Sequence, residues 1–213
     1  MSKVRAHIST SLDGYVAGPH QTQEDPLGEG GEGLHDWVIR LRAWREANGM
    51  DGGEENISNA VVAEETANVG AEIMGRGKFG PHHGPWPDQQ WTGWWGDNPP
   101  FHTPVFVLTH HLRPAVQMNG GTTFDFLDAS PAQALARARQ AAAGGDVRIG
   151  GGPSTIGEFL AAGLIDYAHI VVVPIVLGRG ERLWDGLEGL EDRFQIEAVT
   201  SPSGVTHVTL SRR

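Results

Sequence analysis

The chain contains no cysteine. Disulfides, thiolate–zinc sites and thiol catalysis are therefore excluded, and a reducing compartment is compatible with the composition. No apolar run reaches the roughly 18 residues that a membrane-crossing helix requires. Basic residues are scarce: Lys plus Arg is 16 against 26 for Asp plus Glu, a formal net charge of −10. Broad nucleic-acid or anionic-membrane binding needs a positive field, so neither partner is expected. A local anion pocket survives that exclusion, because backbone N–H groups and one or two arginines suffice to build one. There is no internal repeat and no long low-complexity tract. Residues 1–10 lack an apolar signal core and read as a strand, so no secretory leader is expected. These absences describe an acidic, cytoplasmic globular protein. Its 213 residues are enough to bury a real core in one domain over residues 1–213.

What is present alternates between strand and helix. Residues 4–9 are β-compatible and run into the turn signal Asp13-Gly14. A polar, glycine-rich loop follows over 18–33. Residues 34–48 carry Leu34, Trp37, Val38, Leu41 and Trp44 at helical spacing, which predicts one helix ended by Gly49. A second helix is expected over 60–69, then strands at 71–74, 105–109 and 122–127. Proline and four tryptophans crowd residues 80–104, so no regular element is expected there. Ser130-Pro131 opens a helix to about residue 143. A strand at 147–149 enters three glycines, and Thr155 to Glu158 has capping-box spacing for a short helix closed by Gly163. Residues 167–175 read as a strand and 194–211 as a hairpin. This pattern predicts an α/β fold with a mostly parallel central sheet, an antiparallel C-terminal hairpin and flanking helices.

Three segments could carry chemistry. Ile149-Gly150-Gly151-Gly152-Pro153-Ser154-Thr155 ends a strand, allows close backbone approach and opens a helix, which suits a phosphate. Gly75-Arg76-Gly77-Lys78-Phe79-Gly80 matches G-x-G-x-x-G literally, but the Pro81-to-Pro85 stretch after it is not a helix start, so it is no Rossmann fingerprint. Arg76 and Lys78 beside flexible glycines still suit a phosphate. In SLDGYVAG, Asp13 is either a turn former or a carboxylate at a site mouth. The histidine pairs His82-His83 and His110-His111 are poor chelators, because neighbours on a strand point to opposite faces. With no HExxH and no helical i, i+4 pair, a metal centre is not expected. The loop tryptophans could stack on a heterocycle, cover a site or simply pack.

Taken in order, SLDGYVAG, LHDW, IMGRGKFG, VFVLTHH, VRIGGGPSTIGEFL and PIVLGRGERLW resemble the dihydrofolate reductase-like family. They are closer still to stand-alone relatives of the C-terminal reductase domain of the bifunctional riboflavin-biosynthesis deaminase–reductase. The resemblance implies a homodimeric NADPH-dependent reductase of a small, planar heterocyclic or conjugated carbonyl substrate. It implies that Gly75, Arg76, Gly77 and Lys78 hold the 2′-phosphate region, and that Leu108, Thr109 and His110 flank the adenine ribose. Gly150 to Thr155 would hold the pyrophosphate, and Ile8, Ser9 and Val16 would line the nicotinamide. Asp36, Asp13 and His7 are the expected proton carriers. His7 stands where the riboflavin enzymes have a lysine, six residues before the Asp-Gly. A pterin or dihydrofolate reductase, and an NADP-binding protein without catalysis, are the alternative readings.

Overall fold

The computed structural model describes residues 2–81 and 84–213; the His82-His83 pair lies outside them. Its strands are β1 (Val4–Ser11), β2 (Tyr15–Ala17), β3 (Val69–Gly75), β4 (Pro104–Leu108), β5 (Val116–Gln117), β6 (Thr123–Leu127), β7 (Asp146–Ile149), β8 (Tyr167–Val173), β9 (Glu181–Arg182), β10 (Phe194–Thr200) and β11 (Thr206–Arg212). The helices are α1 (Asp36–Ile39), α2 (Arg42–Ala47), α3 (Ile57–Thr66), α4 (Arg76–Phe79), α5 (Pro131–Ala141) and α6 (Pro153–Ala161). The main sheet has the order β10-β11-β8-β1-β7-β3-β4-β6-β5, and β2 pairs separately with β9. Strands β8, β1, β7, β3, β4 and β6 are parallel; β11 and β5 run antiparallel to them, and β10 pairs antiparallel with β11 at the edge. The expected fold class is therefore the observed one.

Alternation along each strand gives the sheet two unlike faces. Val4, Ala6, Ala71, Ile73, Val147, Ile149, Ala168 and Ile170 point to one face and pack against α5 and α6, forming the principal core. The other face holds two smaller apolar clusters. One joins Leu34, Trp37 and Leu41 to Val171, Val173 and Val205. The second joins Met74, Phe79, Val105, Val107, Phe124 and Phe126 beneath Trp86, Trp91 and Trp95 of the proline-rich loop. Between the clusters runs a polar belt: Arg5 and His7 of β1, Glu72 of β3, Arg148 of β7, His169 of β8 and His207 of β11. No helix among the described residues is long and apolar enough to cross a membrane.

Several elements differ from their expected form. The single helix over 34–48 is a 3-10 turn (Gly31–Leu34) followed by α1 and α2, with a break at Leu41. There the backbone turns extended because residue 54 pairs with it: Arg42 N–H donates to Glu54 and Glu54 N–H donates to Arg40. Helix α3 starts earlier than periodicity indicates, capped by Asn56, whose side chain accepts from Ser58 N–H; Val69 and Gly70 already belong to β3. Thr155 is no cap. Gly152 occupies the N-cap of α6, Pro153 the first turn, and Thr155 is buried inside it. One helical turn, α4, does open after Gly75. The predicted cap at α5 is present as a reciprocal box between Ser130 and Gln133. Replacing Ser130 by Ala should lower stability by about 1 kcal/mol, read as a drop in Tm of about 2–4 °C.

Candidate functional site

Ligand crevices in open α/β sheets form at the carboxyl ends of parallel strands. Here the ends of β3 and β7 are locked together. Gly75 N–H donates to Gly151 O at 2.8 Å, and Gly150 N–H donates to Ile73 O at 2.8 Å. A Cβ on Gly75 would stand 2.4 Å from Thr155 Oγ1, so only glycine lets α6 approach β3 this closely. Cβ atoms on Gly77 or Gly152 would meet nothing within 4 Å; both glycines border open space. The Gly151–Gly152 peptide is cis. The two glycine motifs, far apart in sequence, thus form one backbone cradle.

Beneath the cradle lies a buried ion cluster. Glu72 is 0 % exposed. Its Oε1 lies 3.2 Å from Lys78 Nζ, and its Oε2 accepts from Arg148 Nε at 2.7 Å and from a second Arg148 nitrogen. Lys78 also donates to the Gly150 carbonyl. Burial alone would raise the Glu72 carboxyl; Lys78 and Arg148 outweigh it and hold the group below the usual range. Burial pushes Lys78 down, opposed in part by Glu72. Lys78 is therefore committed to the cradle's floor.

Arg76 differs. Its guanidinium stacks on Trp86, 3.2 Å from the ring centroid, and none of its three nitrogens has a hydrogen-bond partner among the described residues. Arg113 lies over the same ring at 4.8 Å and donates to the carbonyls of Trp91 and Gln89. Burial, then Arg113, pulls Arg76 down to about 10. Neither guanidinium forms an ion pair among the described residues, although Asp88 lies near enough to Arg113 to act on its charge, and two such neighbouring cations invite an anion.

The remaining expected residues are placed as follows. Leu108 is half-buried at the end of β4. Thr109 is buried, its hydroxyl accepting from His111 N–H, and His110 is exposed beside Asp128. Val16 and the half-buried Ile8 pack in the principal core, while Ser9 is buried and accepts from Trp37 Nε1 at 3.3 Å. Ser154 is exposed on α6. Asp13 is tied down: Ser11 Oγ, Leu177 N–H and Gly178 N–H donate to its carboxylate, and the Ser11 hydroxyl is the main reason it falls to about 2. It borders a cleft of about 500 Å³ at the carboxyl end of β1, whose walls include Tyr15, Arg182 and Trp184. Asp36 is exposed at the start of α1. Beside it, His35 is half-buried, its Nδ1 without a partner among the described residues and its pKa lowered by burial.

His7 lies away from the cradle, under α3. Its Nδ1 is 2.9 Å from His169 Nδ1; His169 Nε2 is 3.0 Å from His207 Nδ1; His207 Nε2 is 2.9 Å from Ser58 Oγ. Glu65 of α3 reaches His7 Nε2 at 2.8 Å and His169 Nδ1 at 3.6 Å. Burial lowers His7, and burial followed by His169 lowers His207 to about 4. Burial would raise Glu65, but the two imidazoles hold it at about 2. A cavity of about 370 Å³ opens over this group, between α3 and strands β8, β10 and β11.

Sequence reasoning missed Glu72, Arg148, Arg113, Glu65, His169 and His207. A signal existed for some: a lone charge inside an apolar strand, as in AEIMG and VRIG, needs a partner on the neighbouring strand.

The RibD C-terminal domain family matches residues 2–206. Its fold is shared with a riboflavin-biosynthesis candidate from Shewanella sp. PV-4 (23% identity, 99% of each chain, TM-score 0.60). A deaminase/5-amino-6-(5-phosphoribosylamino)uracil reductase from Thermotoga maritima also superposes (12%, TM-score 0.55); this chain covers 57% of its length. So does an Enterococcus faecalis dihydrofolate reductase complexed with NADP(H) (14%, 99% and 96% coverage, TM-score 0.50). No curated protein matches in sequence.

Proposed function

The chain belongs to the RibD C-terminal domain family, and on that premise we propose that it is an NADPH-dependent reductase of a small planar heterocycle or conjugated carbonyl. The observation that carries this reading is the cradle of Gly75–Lys78 against Gly150–Thr155, with an unpartnered guanidinium beside it. Reduced nicotinamide supplies hydride when bound. The chain's residues do the rest. Gly152, at the open N-terminus of α6, offers backbone to a pyrophosphate. Arg76, with Arg113 next to it, takes the 2′-phosphate, and Lys78 holds the Gly150 carbonyl and so the shape of the cradle. The aromatic walls of the cleft at the end of β1 suit a planar acceptor. Asp36 is the proton carrier that fits best, being exposed at the start of α1, whereas the oxygens of Asp13 are already engaged. A homodimer would pair along β10, an edge strand that exposes Ile196 and Val199.

Thermal unfolding with NADPH, with NADH and without ligand tests the reading. Ligand at about 100 times Kd adds roughly 2.7 kcal/mol, about 5–10 °C for a chain of this length. A shift with NADPH and little with NADH is expected. No shift with either would overturn the cofactor assignment.

A further inference from the structure

The imidazole group under α3 is more than a polar filling between two apolar clusters. We propose that His7, Glu65 and His169 form a binding site for a divalent transition ion of the zinc class, its open coordination position facing the cavity above. Nitrogen and carboxylate ligands about 2.0–2.1 Å from a tetrahedral ion stand about 3.3 Å from one another. Two separations bracket that value, 2.9 Å between the two Nδ1 atoms and 3.6 Å from His169 Nδ1 to Glu65 Oε1; His7 meets Glu65 through its other nitrogen, Nε2, at 2.8 Å, so its ring must turn for one nitrogen to serve the ion. All three side chains offer a ligand atom within 4.8 Å of the others. Two histidines and one glutamate make a donor set that suits zinc and its neighbours, with room for a fourth ligand.

A second observation points the same way. Glu65 Oε1 is buried and has no aligned hydrogen bond among the described residues, although His7 Nε2 is only 2.8 Å away. In a hydrogen-bonded imidazole chain built for its own sake, this oxygen would be the final acceptor, and the ring would turn to meet it. An ion lying between the carboxylate and the two rings supplies what the oxygen lacks.

The surroundings are those of an oriented ligand. Once His169 binds through Nδ1, its Nε2–H donates to His207 Nδ1, and His207 then donates to Ser58 Oγ. Such outer partners fix the tautomer and the ring plane of a metal-bound histidine. Glu65 is held in place from the opposite end, where Arg5 donates to the Glu64 and Ala67 carbonyls and closes α3 over the sheet. The nearby cations are already matched, Arg148 by Glu72 and Arg5 by Asp146. The cavity of about 370 Å³ gives an entry path, and Glu64 and Glu197 on its wall favour a cation.

The test needs no nicotinamide, so its result stands apart from the reductase reading. Chelator-dialysed protein is titrated with Zn²⁺ by calorimetry and with Co²⁺ by visible absorption. One site per chain and the intense bands of four-coordinate cobalt are expected. Glu65→Gln and His169→Asn should abolish the bands while far-ultraviolet circular dichroism stays native. His207→Phe should weaken zinc by about 10–100-fold, and His20→Ala, on an exposed loop, should change nothing. If a variant unfolds, zinc-induced protection of the wild type in thermal unfolding still decides. Wild-type affinity no better than that of a folded Glu65→Gln variant would overturn the site and leave a hydrogen-bonded imidazole array.

Discussion

Glu72→Gln should cost about 3 kcal/mol of stability, seen as a fall in Tm of about 6–12 °C for a chain of this length. The substitution keeps shape and volume and removes one charge. That charge is the carboxylate Lys78 and Arg148 share, on a side chain with no solvent exposure. Neither cation can regain full hydration, since both side chains are mostly covered, 30% and 19% exposed. Breaking such a pair from one side leaves unmatched charge, which is far worse than never having built it. Adding Lys78→Met to the Glu72→Gln variant should recover part of the loss. A Tm change below about 2 °C for the single variant would mean that the two cations are effectively solvated and the cluster contributes little.

The pH dependence of the same comparison has a defined sign. The folded Glu72 carboxyl lies below its unfolded value of about 4.3. Its contribution is therefore complete above that pH and disappears as pH falls through the lower, folded value. The stability gap between wild type and Glu72→Gln should be flat near neutrality and close in acid. A gap that widened in acid would contradict the ion cluster. The consequence reaches the cradle, because Lys78 is the donor that holds the Gly150 carbonyl.

How far the sequence could be read depended on the range of each interaction. Local signals worked in part: Ser130-Pro131 opens α5 and Gly163 at φ +66 closes α6, whereas the capping-box spacing at Thr155 lies inside α6 and caps nothing. The three glycines at 150–152 announced close backbone approach, and the segment they meet is the glycine motif at 75–80, which one-dimensional reading takes only for its basic side chains. Periodicity failed at Leu41, where apolar spacing continued but pairing with residue 54 broke the helix. Long-range charge was invisible in one dimension. The reading of Lys78 as a phosphate ligand took no account of Glu72, and adjacent histidines drew notice that did not reach His169 and His207, the partners of His7. Those three are scattered along almost the whole chain and meet because β1, β8 and β11 are neighbours in register. No spacing rule on a single chain reveals a site assembled across three strands.

Arg76→Gln should weaken NADPH binding by about 10- to 100-fold and leave NADH within a few-fold of wild type. The guanidinium lies flat on Trp86 with no hydrogen-bond partner among the described residues, and Arg113 approaches from the same side. Alone, such an arrangement is unfavourable: two like charges share an aromatic platform, and burial pulls Arg76 down further. A 2′-phosphate reverses each cost, satisfying the free N–H groups and screening the repulsion. A charge-assisted hydrogen bond is worth about 1.5–3 kcal/mol, and each increment of about 1.4 kcal/mol is tenfold in affinity. NADH has no 2′-phosphate and should be indifferent. Because the substitution also relieves repulsion with Arg113, the ligand-free variant should be no less stable than wild type. Calorimetric titration of both dinucleotides decides. Equal weakening of the two would assign Arg76 to the shape of the cradle, and unchanged affinity for both would place the phosphate elsewhere.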